Sequence, residues 1–310
     1  MANLLRISVS PHIHSGRSTT GIMRDVIIAL VPTAVAGTVI FGLRSLLVLA
    51  SCIASCVIFE ALFNIIAKKE QTVGDFSAAL TGLLLGLNLP ANSEIWQCVV
   101  GSLFAIVVVK CLFGGIGCNV VNPAITARVF MLVSFGSLAK PAFPTIVDTV
   151  SGATPLTSIA QGGEAPELTD LLLGLKGGSI GEVCAIALII GFIYLLVRRV
   201  ITWHIPVALV GSVFLISLCA EGFDVTKALA LTLSGGLLLG AIFMATDYVT
   251  SPTTPAGKII FGIGAGVLTF LIRKFGTYPE GVSFAILFMN ILTPYIDSWT
   301  PRKVFGGKKA

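Results

Sequence analysis

The chain has 310 residues, of which 55% are hydrophobic and only 11% charged, with a formal net charge of +5. A soluble domain carries about 25% charged residues, so an ordinary wetted surface is excluded. The small basic excess lies mostly between apolar runs, which points to a lipid bilayer and not to nucleic acid as the partner.

The first segment, residues 1–24, is polar and basic and lacks the apolar core and small-residue cleavage site of a signal peptide. It reads as a cytoplasmic arm, with His12 and His14 on its surface. Apolar runs approaching the ~20 residues that cross a hydrocarbon core follow. Five lie at Asp25–Gly42, Leu46–Ala67, Phe76–Leu89, Ile95–Phe113 and Val120–Phe135. After a polar connection come Val183–Val197, Ile205–Ala220, Ala228–Ala245, Ile259–Ile272 and Val282–Ile296. The expected architecture is an all-α polytopic membrane protein of about ten transmembrane helices. Residues 25–135 form a first repeat, 136–182 an external loop, 183–298 a second repeat and 299–310 a basic cytoplasmic tail.

An even number of spans puts both termini on one side. With that side cytoplasmic, thirteen Lys and Arg residues fall inside and six outside, the positive-inside pattern. The outer Arg273-Lys274 pair runs against it, and Arg128 alone falls within a span. This orientation exports the 136–182 loop, which is far longer than an ordinary connection. Trp96, Trp203 and Trp299 sit near span ends and read as interfacial anchors. Asp25 is expected to offset the positive end of the first helix.

The chain also echoes itself. Gly82-Leu83-Leu84-Leu85-Gly86 recurs 154 residues later as Gly236-Leu237-Leu238-Leu239-Gly240, in the third span of each half. Five spans per half make the halves run in opposite directions, an inverted repeat. The third and eighth spans are expected to be short or broken. Phe76–Leu89 has 14 residues and precedes Pro90, and the eighth runs into Asp247, Pro252 and Pro255. Weak helices at matching places point to a ligand near mid-membrane, and small residues for close packing explain the glycines equally well.

Seven scattered cysteines, with no C-x-x-C and no Cys/His cluster, give no metal site. Most read as small packing residues; Cys111 and Cys118 flank a Gly-rich turn and keep an option of ligating a cluster shared with a partner. No G-x-G-x-x-G after a predicted strand appears.

The loop contains Asp148-Thr149-Val150-Ser151-Gly152-Ala153-Thr154. This resembles the D-x-x-S/T-G-A-T signature at which a flavin transferase links FMN to threonine through a phosphoester. Four further segments resemble the same family: Ser10-Pro11-His12-Ile13-His14-Ser15 with Ile22-Met23, Phe113-Gly114-Gly115-Ile116-Gly117-Cys118-Asn119, Asn122-Pro123-Ala124, and Met244 to Pro252. The chain looks like a member of the NqrB/RnfD family, membrane flavoprotein subunits of the sodium-pumping NADH–quinone reductase and of Rnf complexes. It lacks the longer N-terminal extension usual in the former, which favours the latter.

The resemblance implies an electron relay with covalent FMN on Thr154, framed by Asp148, Ser151, Gly152 and Ala153. It leaves room for riboflavin or another second, noncovalent flavin. An Rnf-type complex passes electrons between reduced ferredoxin and NAD+ and couples this to Na+ or H+ movement. The ferredoxin and NAD sites would then belong to partners resembling the A, B, C, E and G subunits. The expected home is the bacterial cell membrane, with the Thr154 loop external. A channel or secondary transporter of similar fold is the alternative from another class, since inverted repeats are common there.

Among other residues, Arg128 is a charge within an apolar span, costly and usually functional. It is a candidate partner for a flavin phosphate or ring oxygen, against pairing with a protein carboxylate or snorkelling. Asn119 and Asn122 are candidates for hydrogen-bonding a flavin edge or capping a broken helix. Glu60 and Asp247 are candidates to line an ion path, or else interfacial anchors.

Overall fold

The computed structural model describes residues 18–144, 154–160, 167–276 and 280–301. Within them the fold is helical, with one isolated antiparallel bridge between Ala142 and Gly178. Every apolar run carries a helix. In the first half these are α1 (Thr19–Phe41), α2 (Leu43–Ile66), α3 (Ser77–Asn88), α4 (Ile95–Leu103, continued by a π-helical stretch Phe104–Cys111) and α5 (Pro123–Ser134). The connection holds two short helices, α6 (Pro155–Ala160) and α7 (Leu168–Leu173). The second half has α8 (Ala185–Val197), α9 (His204–Ala220), α10 (Val225–Leu233), α11 (Leu237–Leu239, continued by a π-helical stretch Gly240–Met244), α12 (Pro255–Phe275) and α13 (Val282–Trp299).

Local chemistry sets the ends. Ser18 accepts from Gly21 N (3.1 Å) to open α1, and Thr254 accepts from Gly257 N (3.1 Å) to open α12. Asn122 and Pro123 start α5 at the first residue where a missing N–H costs nothing, which trims the expected run Val120–Phe135 to 12 helical residues.

Among the described residues three helices, α1, α2 and α12, are long and apolar enough to cross a membrane alone. A fourth span forms only if α10 and α11 are taken together, bent by 61°. The expected weakness of the third and eighth spans is found, with one correction. The eighth breaks at Ser234-Gly235-Gly236, not at Asp247 and the prolines beyond it, because Gly235 and Gly236 adopt φ of +74° and +67°. The third starts late for a related reason. Phe76, at φ +63°, turns the chain between a 3-10 turn Val73–Asp75 and α3.

α2 packs against α3 and α4, α9 against α12, and α1 against α8 of the other half. At the α2–α3 crossing, a Cβ on Gly82 would stand 2.7 Å from both Cys52 O and Ile53 Cα, so the glycine permits backbone contact. The small-residue explanation of the Gly-Leu repeat therefore holds at Gly82. Asp25 does not serve the α1 N-terminus. It lies one turn and more inside the helix, where Arg198 (3.2 Å) and the Tyr194 hydroxyl (3.3 Å) donate to it across the α1–α8 contact. Trp96, Trp203 and Trp299 are all exposed beside helix ends, in keeping with interfacial anchoring.

Candidate functional site

Two cavities lie at α5, one at its first turn and one farther along. The first has about 840 Å³ of empty space and is bordered by Lys110, Asn119, Asn122, Thr246, Asp247 and Tyr248, with apolar walls from α1, α3 and α8. The second has about 630 Å³ and is bordered by Arg128, Lys140, Thr154, Thr157, Glu182 and Glu280. Asn122 and Arg128 are six residues apart on α5, about 9 Å of helical rise, so one short rigid element borders both cavities.

At the first cavity, Asn122 caps α5: its Oδ1 accepts from Ala124 N (3.0 Å) and Ile125 N (3.3 Å). Its amide nitrogen donates to Met244 O (3.2 Å), tying the start of α5 to the π-helical end of the eighth span. The capping alternative is thus realised for Asn122. Asn290 of α13, with its amide turned to satisfy its neighbours, accepts from Asn122 N (3.2 Å) and donates to Thr250 O (3.2 Å). Asn119 donates to Val121 O (3.0 Å). Asp247 accepts from the Thr250 hydroxyl (3.1 Å); burial pushes its carboxyl above the usual range, against the hydrogen bonds from Thr250 and Asn119.

Glu60 is not an interfacial anchor. It is 2% exposed and paired at 2.6 Å with Lys110, whose Nζ also donates to Ser77 Oγ (2.6 Å). Thr72 Oγ donates to the same Glu60 oxygen (2.9 Å), while Glu60 Oε2 has no partner. In sequence Lys110 is one more positive-inside residue, and no local pattern announces its reach to a carboxylate 50 positions away.

At the second cavity, Thr154 is half-buried and opens α6. Its Oγ lies 3.0 Å from Thr157 Oγ and accepts from Thr157 N (3.3 Å). Arg128, 1% exposed, donates from one terminal nitrogen to both oxygens of Glu280 (3.1 and 2.9 Å). The expected alternative of a protein carboxylate is therefore met. Yet Arg128 Nε and the other terminal nitrogen have no partner among the described residues, which leaves three buried N–H donors unmatched beside the cavity. Leaving such donors bare costs about 1–3 kcal/mol each. An anion would recover that cost. Asp148, Ser151, Gly152 and Ala153 lie outside the described residues.

Neighbouring charges reinforce the preference. Lys176 Nζ donates to Leu233 O (2.7 Å), and Arg273 donates to Leu231 O (2.6 Å) and Ser234 O (2.9 Å), just behind Gly235 on the cavity wall. Burial pushes the Lys176 ammonium down and Glu182 opposes the shift. Among the described residues, Arg128, Lys140, Lys176 and Arg273 share this neighbourhood with Glu182 and Glu280. Sequence reasoning misses Glu280; its signal is a single carboxylate in the polar turn before the last apolar run.

Among the described residues no group of three or more His, Cys, Asp or Glu side chains stands together. Cys111 is buried and Cys118 exposed on either side of the Gly-rich turn.

Comparison with known proteins settles the family. Residues 6–306 match the model of the NQR2, RnfD, RnfE family. The chain belongs to this family. It is 45% identical over 310 residues, covering 98% of this chain and 96% of the relative, to the D subunit of the Na+-translocating ferredoxin:NAD+ oxidoreductase complex of Acetobacterium woodii. It is 38% identical to the proton-translocating counterpart of Clostridium ljungdahlii, covering 99% and 98%. Identity to the D subunit of the ion-translocating oxidoreductase complex of Vibrio atlanticus is 36%, over 97% and 99%. Relatives of comparable coverage are named for different ions.

Proposed function

We propose that this chain is the RnfD-type subunit of an ion-translocating ferredoxin:NAD+ oxidoreductase, an electron carrier with FMN attached to Thr154. The other subunits of the complex are its partners, and a flavin transferase meets it during maturation. The observation that carries the reading is the second cavity: the motif threonine shares it with an arginine whose buried donors lack a partner. The unmatched donors suit a phosphodiester, whose single negative charge and free oxygens accept charge-assisted hydrogen bonds. When bound, FMN would supply one- and two-electron redox chemistry.

The chain's own residues do the rest. Thr154 offers the hydroxyl, Arg128 would donate to the phosphoryl oxygens from Nε and Nη1, and Glu280 holds Arg128 by its other terminal nitrogen. At the other cavity we propose a second, noncovalent flavin, riboflavin being one option, with Asn119 addressing its polar edge, Asn122 holding the first turn of α5 at its border, and α3 and α8 excluding water. Asp247 borders that cavity and is our candidate for the ion path, whereas Glu60 is already neutralised by Lys110. We place the protein in the bacterial cell membrane, termini cytoplasmic and Thr154 outside.

Denaturing-gel fluorescence under ultraviolet light tests the attachment. The wild-type chain co-produced with a flavin transferase should fluoresce and Thr154→Val should not; a dark wild-type band refutes the reading. A protease site inserted near Gly163 should be cut only from outside, and cutting from within would reverse the topology.

A further inference from the structure

We infer that Thr157 is the positioning residue that aims the Thr154 hydroxyl for attachment, an inference that rests on the reading of Thr154 as the attachment site. The two hydroxyl oxygens stand 3.0 Å apart, and either could donate by distance alone. A second contact decides which does. Thr157 Oγ lies 2.9 Å from the Thr154 carbonyl oxygen, which can only accept. That bond uses the single hydroxyl hydrogen of Thr157. Across the 3.0 Å gap, therefore, Thr154 donates and Thr157 accepts.

Thr157 N also donates to Thr154 Oγ at 3.3 Å. One residue thus fixes the hydrogen and one lone pair of the Thr154 hydroxyl. A single lone pair is left for phosphorus, on an oxygen that borders the cavity with Arg128 and Lys140. Fixing a nucleophile in this way removes rotational freedom before reaction, a contribution that reaches orders of magnitude in favourable cases.

The step balances. The Thr154 Oγ–P bond forms, the pyrophosphate P–O bond of a flavin dinucleotide donor breaks, and a nucleoside monophosphate leaves. The hydroxyl proton, held toward Thr157 and away from the incoming phosphorus, passes to the transferase or to solvent. No atom is oxidised or reduced.

The competing role is plain capping of α6, in which only the Thr157 backbone N–H matters. Thr157→Val and Thr157→Ala keep that N–H and delete the hydroxyl contacts, so they separate the two roles. The complex is produced without transferase, then incubated with purified transferase and varied flavin dinucleotide, and attachment is followed by fluorescence of the denatured band. Both variants should label about tenfold or more slowly at saturating donor with unchanged KM, and Thr157→Ser should return to within about twofold of wild type. Wild-type rates in Val and Ala variants, or a Ser variant as slow as Ala, would overturn the inference while leaving attachment intact. Label that persists in Thr154→Val and vanishes in the double variant would make Thr157 the acceptor and overturn it too. A wild-type chain that stays dark removes the attachment reading itself.

Discussion

Neutralising Glu60 should destabilise the first half of the protein severely, and neutralising Lys110 as well should restore it. The pair is closed at 2.6 Å with side-chain exposures of 4% and 2%, so neither charge has water to fall back on. At an effective dielectric of about 20, two unit charges at that distance attract by roughly 6 kcal/mol, a gain that desolvation largely offsets. The net worth of the pair is therefore small, but the cost of breaking it is not. Glu60→Gln keeps the shape and an oxygen that accepts from Thr72 and Lys110, but leaves the buried ammonium without a counter-charge. That should cost about 3–5 kcal/mol. Glu60→Gln with Lys110→Met removes both charges and should sit within about 1–2 kcal/mol of wild type, a smaller loss than either single variant and far below the sum of the two. Reversible unfolding in mild detergent titrated with dodecyl sulfate measures all four corners. If Glu60→Gln alone is neutral, or the double variant loses the sum of the singles, the pair is not a closed buried ion pair and the reasoning fails.

Gly82→Ala should lose about 1–3 kcal/mol in the same assay, since its Cβ meets α2 backbone at 2.7 Å, whereas Gly74→Ala, with open space around it, should not clash. Asn122→Ala removes the cap of α5 and the bond to Met244 and should lose about 1–2 kcal/mol. It should also lower the flavin released into the supernatant when the purified complex is denatured; retention at the wild-type level would separate Asn122 from the second cofactor.

The helices are legible because apolar runs need no partner to announce themselves, and the Gly-Leu echo locates both weak spans. The site is legible only where a local pattern carries it. Thr154 stands in a motif and Arg128 violates an apolar run. Glu280 and Lys110 satisfy no local rule, and their roles arise from pairings 152 and 50 residues distant. Asn122 illustrates the intermediate case. A cap followed by proline predicts a helix start, but the bond from its amide to Met244, 122 residues on, belongs to the packing of the two halves. The position of the eighth break is misleading in sequence for a related reason. Prolines after Asp247 signal an end, while the two positive-φ glycines at 235 and 236 have already interrupted the helix.

The placement of the remaining buried cations follows from those interruptions. Within a membrane, backbone groups freed by a broken helix have no water to turn to, and each unsatisfied one costs several kcal/mol. At the second break, carbonyls at the end of α10 are exposed, and Arg273 from the end of α12 takes those of Leu231 and Ser234 while Lys176 takes that of Leu233. At the first break the freed group is an N–H, and Asp75 accepts from Ser77 N at 2.8 Å. Lys110, from the end of the first half's fourth span, then binds the Ser77 hydroxyl and brings Glu60 as its own counter-ion. In each half a cation at the end of the fourth span lies at the break of the third, binding freed carbonyls in the second half and side chains beside the freed N–H in the first. The charges that look out of place in an apolar chain are therefore where the broken helices require them, and Arg128 differs from them in one respect. Its unmatched donors border a cavity.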